Sequence, residues 1–540
     1  MSIFGLAKKH FLLLLVVSAI YFAYVSIVLK PWSFKNFSLI DDGQVYMQST
    51  SYFEDCISRL HCSKFLDQTL EYGTNRFRPS YWITQNILYE GFRDNAQAHH
   101  IFRVYVVGYI AILLMSLILL DMKVGPLFIL TAVALFTSNY SFTENFLRIG
   151  PNEPYQVVFL ALFSIIYLKK DEVRNRPKVF FPFMVALLVW TILLKENNAA
   201  VLLAILLSAL AYSGFKNFKK TLILVAVPAA ILALGIFLTK FVPTTISSEI
   251  PVYTSNYSSV PKTILNNIQI LIGSLFNSMS PFLKLAFVSF PFLFTLRKFQ
   301  GYLKEKKFYY WIFFSFFFTA IMFPWKFILE RYQLVAIFGL VIVVAFLFDK
   351  ALLLLEGALF HKAKQLLIYR IMFNVFIFLV VINLFFRGFP LNLAKSINYR
   401  EWYLTFTTFE LEQVRAIAKY NDKGIYINAV NNINNWEVLY EIPIHLKYLY
   451  GLYPNTEILG TIGNQKTYVF SRLPFDLTVQ TDDLEKAGYK IVDAKSYHID
   501  QIDPIKFREK FVNQPLRTII NPPLSERGFD YYWEIRSLEK

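Results

Sequence analysis

Charge is what this sequence has least of. Only 17% of its 540 residues are Asp, Glu, Lys or Arg, where a soluble globular chain carries about a quarter. So few charges cannot coat a protein of this size for water, which excludes a water-soluble enzyme. Acid is scarcer than base, 38 residues against 54, and the net charge is +16. The basic residues nevertheless lie in short clusters between apolar runs, and no soluble basic module is visible. The charge is therefore no nucleic-acid footprint, and no nucleic-acid partner is expected. Cysteine is nearly absent, with Cys56 and Cys62 alone. In an oxidising compartment they pair. Positions six apart on a continuous helix do not face each other, so a bridge requires a turn near Arg59-Leu60; two free thiols are the other reading. No internal repeat of fixed period occurs, and few charges fall in mid-span, both of which argue against a transporter.

Apolar and aromatic residues are abundant: 55 Phe, 33 Tyr and a mean hydropathy of +0.42. They cluster in runs near the length that crosses a bilayer, about 17–25 residues. The first run follows Lys8, Lys9 and His10 and has no small-residue cleavage site behind it, so it reads as an uncleaved span with a cytoplasmic N-terminus. Spans are expected at about 11–29, 101–120, 125–139, 155–168, 179–194, 199–213, 221–241, once within 263–296, then at 308–323, 331–348 and 367–386. The fold class is thus a polytopic α-helical membrane protein of about eleven spans. The basic clusters at 169–178, 216–220, 297–307 and 350–364 all fall on one side of this arrangement, as cytoplasmic loops do. Two domains are expected: a membrane domain over residues 1–390, with a large first outer loop at 30–100 holding short amphipathic helices, and a small soluble α/β domain over 391–540 outside. Within the latter, 424–427, 467–470, 489–492 and 531–535 read as strands, and 410–420 and 482–487 as helices.

Polar clusters stand at the ends of spans on the expected outer face. Asp41-Asp42 follows the first span. A carboxylate there can take a proton from a hydroxyl or hold a divalent metal; the bland reading is a helix cap near Gly43. Later in the same loop come Arg76, Arg78, Tyr81 and Trp82. Arginine forks suit phosphate, and the aromatic rings suit a sugar or the interface; a snorkelling belt is the alternative. Arg148 and Glu153 lie in a Gly/Pro turn, where capping would also account for them. Lys195-Glu196 breaks an apolar stretch, as an interfacial hairpin pair would. Lys326, Glu330 and Arg331 cluster between two later spans and suit an anionic head group. Outer loops carry acid with base while inner loops carry base almost alone, so one converging polar site on the outer face is the economical account.

In their order, Asp41-Asp42, Arg76-Phe77-Arg78-Pro79-Ser80-Tyr81-Trp82, Gly150-Pro151-Asn152-Glu153-Pro154, Lys195-Glu196 and Glu330-Arg331-Tyr332 resemble the GT-C superfamily of integral-membrane glycosyltransferases. The pattern is similar to protein O-mannosyltransferases and lipid A aminoarabinose transferases, over about residues 1–390. The resemblance implies inverting transfer of a hexose or pentose from a polyprenyl-phosphate-linked sugar donor to an acceptor at the extracytoplasmic face of a bacterial inner membrane, the acceptor being a cell-envelope glycan, lipid or protein. It implies Asp41 as the general base and Arg78, Arg148, Lys195 and Arg331 as candidates for the donor phosphate. The family's second acidic position is often Glu; here it is the shorter Asp42, for which a divalent metal is possible and not required. The absence of Trp-Trp-Asp in the C-terminal domain argues against N-glycan transfer. A polysaccharide polymerase or ligase of another membrane fold is the rival, and would draw on His99, His100 and Arg103. Membrane lipids are the remaining expected partners. Reporter fusions or cysteine-accessibility labelling should find residues 169–178 inside and 400–540 outside; a cytoplasmic C-terminal domain would overturn the eleven-span count.

Overall fold

Apolar helices fix the frame. The computed structural model describes residues 3–39, 42, 49–70, 77–169, 177–213, 218–241, 260–278, 301, 305–325, 330–359, 367–420, 425–427, 436–452, 468–473 and 484–538. Among these, four helical stretches are long and apolar enough to cross a membrane: Phe11–Ser33, Ala96–Asp121, Thr221–Thr239 and Glu330–Glu356. A fifth is added if Pro126–Thr137 and Tyr140–Leu147, bent by 59° to each other, count as one broken span. The chain is therefore a multi-pass membrane protein. A count of eleven spans is not confirmed among the described residues. Glu153–Leu168, Phe180–Ile192 and Glu196–Tyr212 are apolar but short, because Gly150-Pro151 and Lys195-Glu196 interrupt the runs. Much of the span expected within 263–296 lies outside the described residues. Irregular backbone at membrane depth is tolerated only where protein or a cavity covers it, so these breaks mark where the helices turn toward one another.

The first two spans are locked by hydroxyls. Phe11–Tyr24 continues through a π-helical turn, Val25–Leu29, and ends at Lys30 in the left-handed region (φ 47°) before Pro31. The second span carries a π-helical stretch of its own, Phe102–Gly108. Tyr21 donates to the Val104 carbonyl (2.6 Å), and Ser18 and Ser26 bond the hydroxyls of Tyr109 and Tyr105 at 2.8 Å each. Gly108 lies directly beneath the Tyr21 hydroxyl, in space that a Cβ would fill.

The segment between the first two spans carries helices at Ser49–Arg59, Ser63–Leu70 and Pro79–Phe92. Cys56 and Cys62 form a disulfide. The chain reverses between them at Leu60, whose φ is 58°, which is the turn that a bridge over this spacing requires.

One helix of 53 residues, Leu367–Lys419, runs through Pro390, so the expected domain boundary falls inside it. Its far end packs against a four-stranded sheet in the order β1-β2-β4-β3: β1 (Ile425–Ile427), β2 (Tyr468–Leu473), β3 (Tyr489–Ile502) and β4 (Leu524–Leu538). β1 and β2 are parallel and the other pairs antiparallel, with Tyr497 opposite Tyr531. The core between helix and sheet includes Phe406, Phe409, Ile417, Trp533 and Ile535, and it also takes in Leu39 from the first outer loop. Gly108→Ala should force Tyr21 off the Val104 carbonyl and cost about 1–3 kcal/mol, as overpacking of a close contact does. A melting temperature in detergent equal to the parent's would show that the two spans do not depend on that approach.

Candidate active site

The turn between residues 148 and 153 is the centre of the polar network. Asn139 caps the helix Tyr140–Leu147 by accepting from the Ser141 N–H (2.9 Å). Arg148 then turns extended, at ψ 145°. The next helix starts at Glu153, with Pro154 in its first turn; acid at this end is favoured by the helix dipole. The intervening carbonyls have no ladder to join and need donors. Arg103 supplies them. It is 1% exposed and donates to the carbonyls of Asn145 (3.0 Å), Ile149 (2.7 Å) and Pro151, with its guanidinium 5.2 Å from the Tyr155 ring centroid.

Five sequence motifs meet on this turn. From the first loop, Asp42 accepts the Gly150 N–H on Oδ1 (3.1 Å) and the Ser38 N–H on Oδ2 (2.9 Å). Tyr81 donates to the Gly150 carbonyl (2.9 Å), and the Arg78 guanidinium lies 5.0 Å from the Tyr81 ring centroid. Glu153 pairs with Lys195 at 2.6 Å. The Lys195 ammonium sits 4.8 Å from the Tyr332 ring centroid, and Arg331 lies 5.2 Å from the same ring. Arg148 pairs with Glu144 at 3.8 Å. The two later turns are fastened from the helices beside them. Asn152 donates to the Leu194 carbonyl (2.6 Å), Asn145 to that of Arg331 (2.7 Å), and Ser141 to that of Glu330 (2.6 Å).

The remaining candidates contribute less. Glu330 joins through its backbone, and its side chain is exposed. Glu196 is half-buried in the short turn beginning beside Lys195. Asp41, Arg76 and Lys326 lie outside the described residues. No three His, Cys, Asp or Glu side chains converge as a metal site among the described residues. Both Asp42 oxygens accept backbone N–H groups.

Arg331 stands apart from the other cations of the cluster. It is 9% exposed, its Nη1 is buried with no hydrogen-bond partner, and it makes no ion pair among the described residues. A buried guanidinium in that state is costly unless an anion completes it.

Comparison with known proteins adds two likenesses. No family model and no curated protein matches the chain. It is similar to the crystal structure of ArnT from Cupriavidus metallidurans bound to undecaprenyl phosphate, at 13% identity over 98% of each chain with a TM-score of 0.47. It is also similar to the apo state of the same protein, at 12% identity over 96% of this chain and 98% of that one, with a TM-score of 0.46.

Several residues here carried no functional signal in the sequence. Glu410, fully buried in the long helix, accepts from both the Ser38 hydroxyl and the Leu39 N–H at 2.9 Å. Tyr399 and Tyr403 lie on the same helix beyond its expected span. Burial first, then the Asp42 carboxylate, holds the Tyr403 phenol well above its usual range; burial and Glu144 do the same for Tyr399. Both stay protonated and available as donors. The histidines and arginine of the rival reading are engaged elsewhere: His99 bonds the Arg93 carbonyl, His100 is buried against Phe34 and Tyr403, and Arg103 holds the turn. Lys195→Met strands the Glu153 carboxylate and should cost about 3–5 kcal/mol. Adding Glu153→Gln should recover much of that loss, and a thermal-unfolding double-mutant cycle with no coupling would show that the pair is incidental.

Proposed function

We propose that this protein is a membrane glycosyltransferase of the GT-C type, moving a sugar from a polyprenyl-phosphate donor to an acceptor hydroxyl at the extracytoplasmic face with inversion at the anomeric carbon. The observation that carries the reading is the buried Arg331 beside Lys195, on the same network that tethers Asp42. An anion is the natural complement of that unfilled guanidinium, and the sequence motifs supply the acid–base partner needed for transfer.

In this reading the donor phosphate rests on Arg331 and Lys195, with Arg148 and Arg78 as further cations within the cluster. The Asp41 carboxylate takes the proton of the acceptor hydroxyl. The acceptor oxygen then forms its bond to the anomeric carbon from the face opposite the phosphate, and the carbon–oxygen bond to the phosphate breaks. The bonding pair leaves with the phosphate, whose charge becomes more negative by one unit. Fixed cations stabilise that growing charge better than water, which must reorganise to do so. A single displacement accounts for inversion.

The two acids divide the work. Asp42 spends both oxygens on backbone N–H groups, so its role is to hold the loop and aim its neighbour. Tyr81, buried against Trp82 and bonded to the Gly150 carbonyl, fixes the turn and the Arg78 guanidinium near its ring.

Arg331→Gln tests the donor site, since a hydrogen bond to a charged group is worth about 1.5–3 kcal/mol. The Michaelis constant for the lipid donor should rise by roughly 10- to 100-fold while that for the acceptor changes little. Asp41→Asn should leave donor binding intact and lower turnover by about 10²–10⁴-fold. An unchanged donor dependence in the first variant, or near-normal turnover in the second, would remove the corresponding role.

A further inference from the structure

Between β3 and β4 the chain forms two short helices, Pro504–Asn513 and Pro515–Ile520. Their inward side does not belong to the core of the C-terminal sheet. Ile502, Phe507 and Phe511 instead join the large apolar cluster of the membrane helices, and Ile519 packs against it. The segment is aligned along the long helix at two points. Asn398 and Ile502 exchange hydrogen bonds, 3.1 Å and 2.5 Å, and the Phe511 ring lies 6.0 Å from that of Phe389. Nine helical residues separate Asn398 from Phe389, a descent of about 13 Å. The first short helix therefore runs down the long one toward the expected span at 367–386, and the second leads back from its lower end toward β4, where the Asp503 N–H donates to the Pro523 carbonyl (3.0 Å) and Leu524 stands opposite Ile502.

The outward side of both helices is apolar, with Val512 and Leu516 flanking the turn at the lower end. Ile505 and Val512 are seven residues apart on one face of the first helix, opposite the buried Phe507 and Phe511, and Leu516 and Ile520 are four apart on the second. All are more than 60% exposed, and Leu524 is 54% exposed. Single exposed apolar residues are ordinary; five within twenty residues form a patch that marks a contact surface. The patch is flanked by Lys506, Arg508, Lys510 and Arg517, all exposed, against Asp503 and Glu509. Farther down, the long helix exposes Met372, Val375, Phe376 and Leu379, as a surface facing acyl chains would.

We propose that Pro504–Ile520 is an interfacial anchor: Val512, Leu516 and Ile520 enter the boundary between head groups and acyl chains, and the neighbouring Lys and Arg side chains meet anionic head groups. Continuity with the apolar face of the span selects the bilayer as the occupant, and the net basic flank fits its anionic surface. The anchor rests on the membrane placement of the long helix and not on the glycosyl-transfer reading.

The test uses the full-length protein in nanodiscs of phosphatidylethanolamine and phosphatidylglycerol. Spin labels go on Leu516→Cys, Ile520→Cys and, as a control, Ala487→Cys, which lies at the opposite end of β3 from Ile502. The native cysteines are joined in a disulfide and take no label, and all three sites are exposed, so folding is not at risk. Power saturation should give collision with oxygen exceeding collision with a water-soluble nickel chelate at 516 and 520, and the reverse at 487. Equal nickel accessibility at all three sites would overturn the proposal. So would dipolar broadening between labels on separate copies without oxygen enrichment, which would assign the patch to a second copy of the chain.

Discussion

The polar site depends on one buried guanidinium. Arg103 comes from the second span and is almost wholly removed from solvent, yet its partners are backbone carbonyls of a turn that has left the helical ladder. A charge placed so deep is tolerated only when its donors are met, and the turn's carbonyls are tolerated only because Arg103 meets them. Each half of the bargain is unstable alone. The π-helical stretch Phe102–Gly108 that carries Arg103 shifts the side-chain register by one residue, a distortion found often at functional sites. With the turn so held, Gly150 can offer its N–H to Asp42 and its carbonyl to Tyr81, and Glu153 can meet Lys195.

The first outer loop is gripped from a second direction. Glu410 accepts from Ser38 and Leu39, and the Leu39 side chain lies in the core that joins the long helix to the sheet. The acidic pair thus follows a segment fixed to the C-terminal domain, and its second member is fixed to the membrane helices. Neither part of the protein alone would define where Asp41 and Asp42 begin.

Hydropathy made the membrane class legible, and the placement of charge at span ends made Asp42, Glu153, Lys195 and Arg331 legible, because charge so close to a bilayer needs a partner. The span count was less accessible. The expected spans at 155–168, 179–194 and 199–213 coincide with the apolar helices Glu153–Leu168, Phe180–Ile192 and Glu196–Tyr212, which are short for a full crossing. Glu410 gave no warning, since its partners Ser38 and Leu39 lie 372 and 371 residues away. Arg103 was visible only as a neighbour of His99 and His100, and nothing local to it indicates that its acceptors would come from residues 145–151. The change of composition near residue 390 falls inside the long helix, which continues to Lys419.

That continuous helix has a mechanical consequence. It contains 53 residues, about 80 Å of helical rise, and Pro390 removes a hydrogen bond from its ladder partway along. Spans tilt to match the thickness of the hydrocarbon around them. A proline kink lets the stretch below residue 390 lean without carrying Glu410, twenty residues above it, through the same angle.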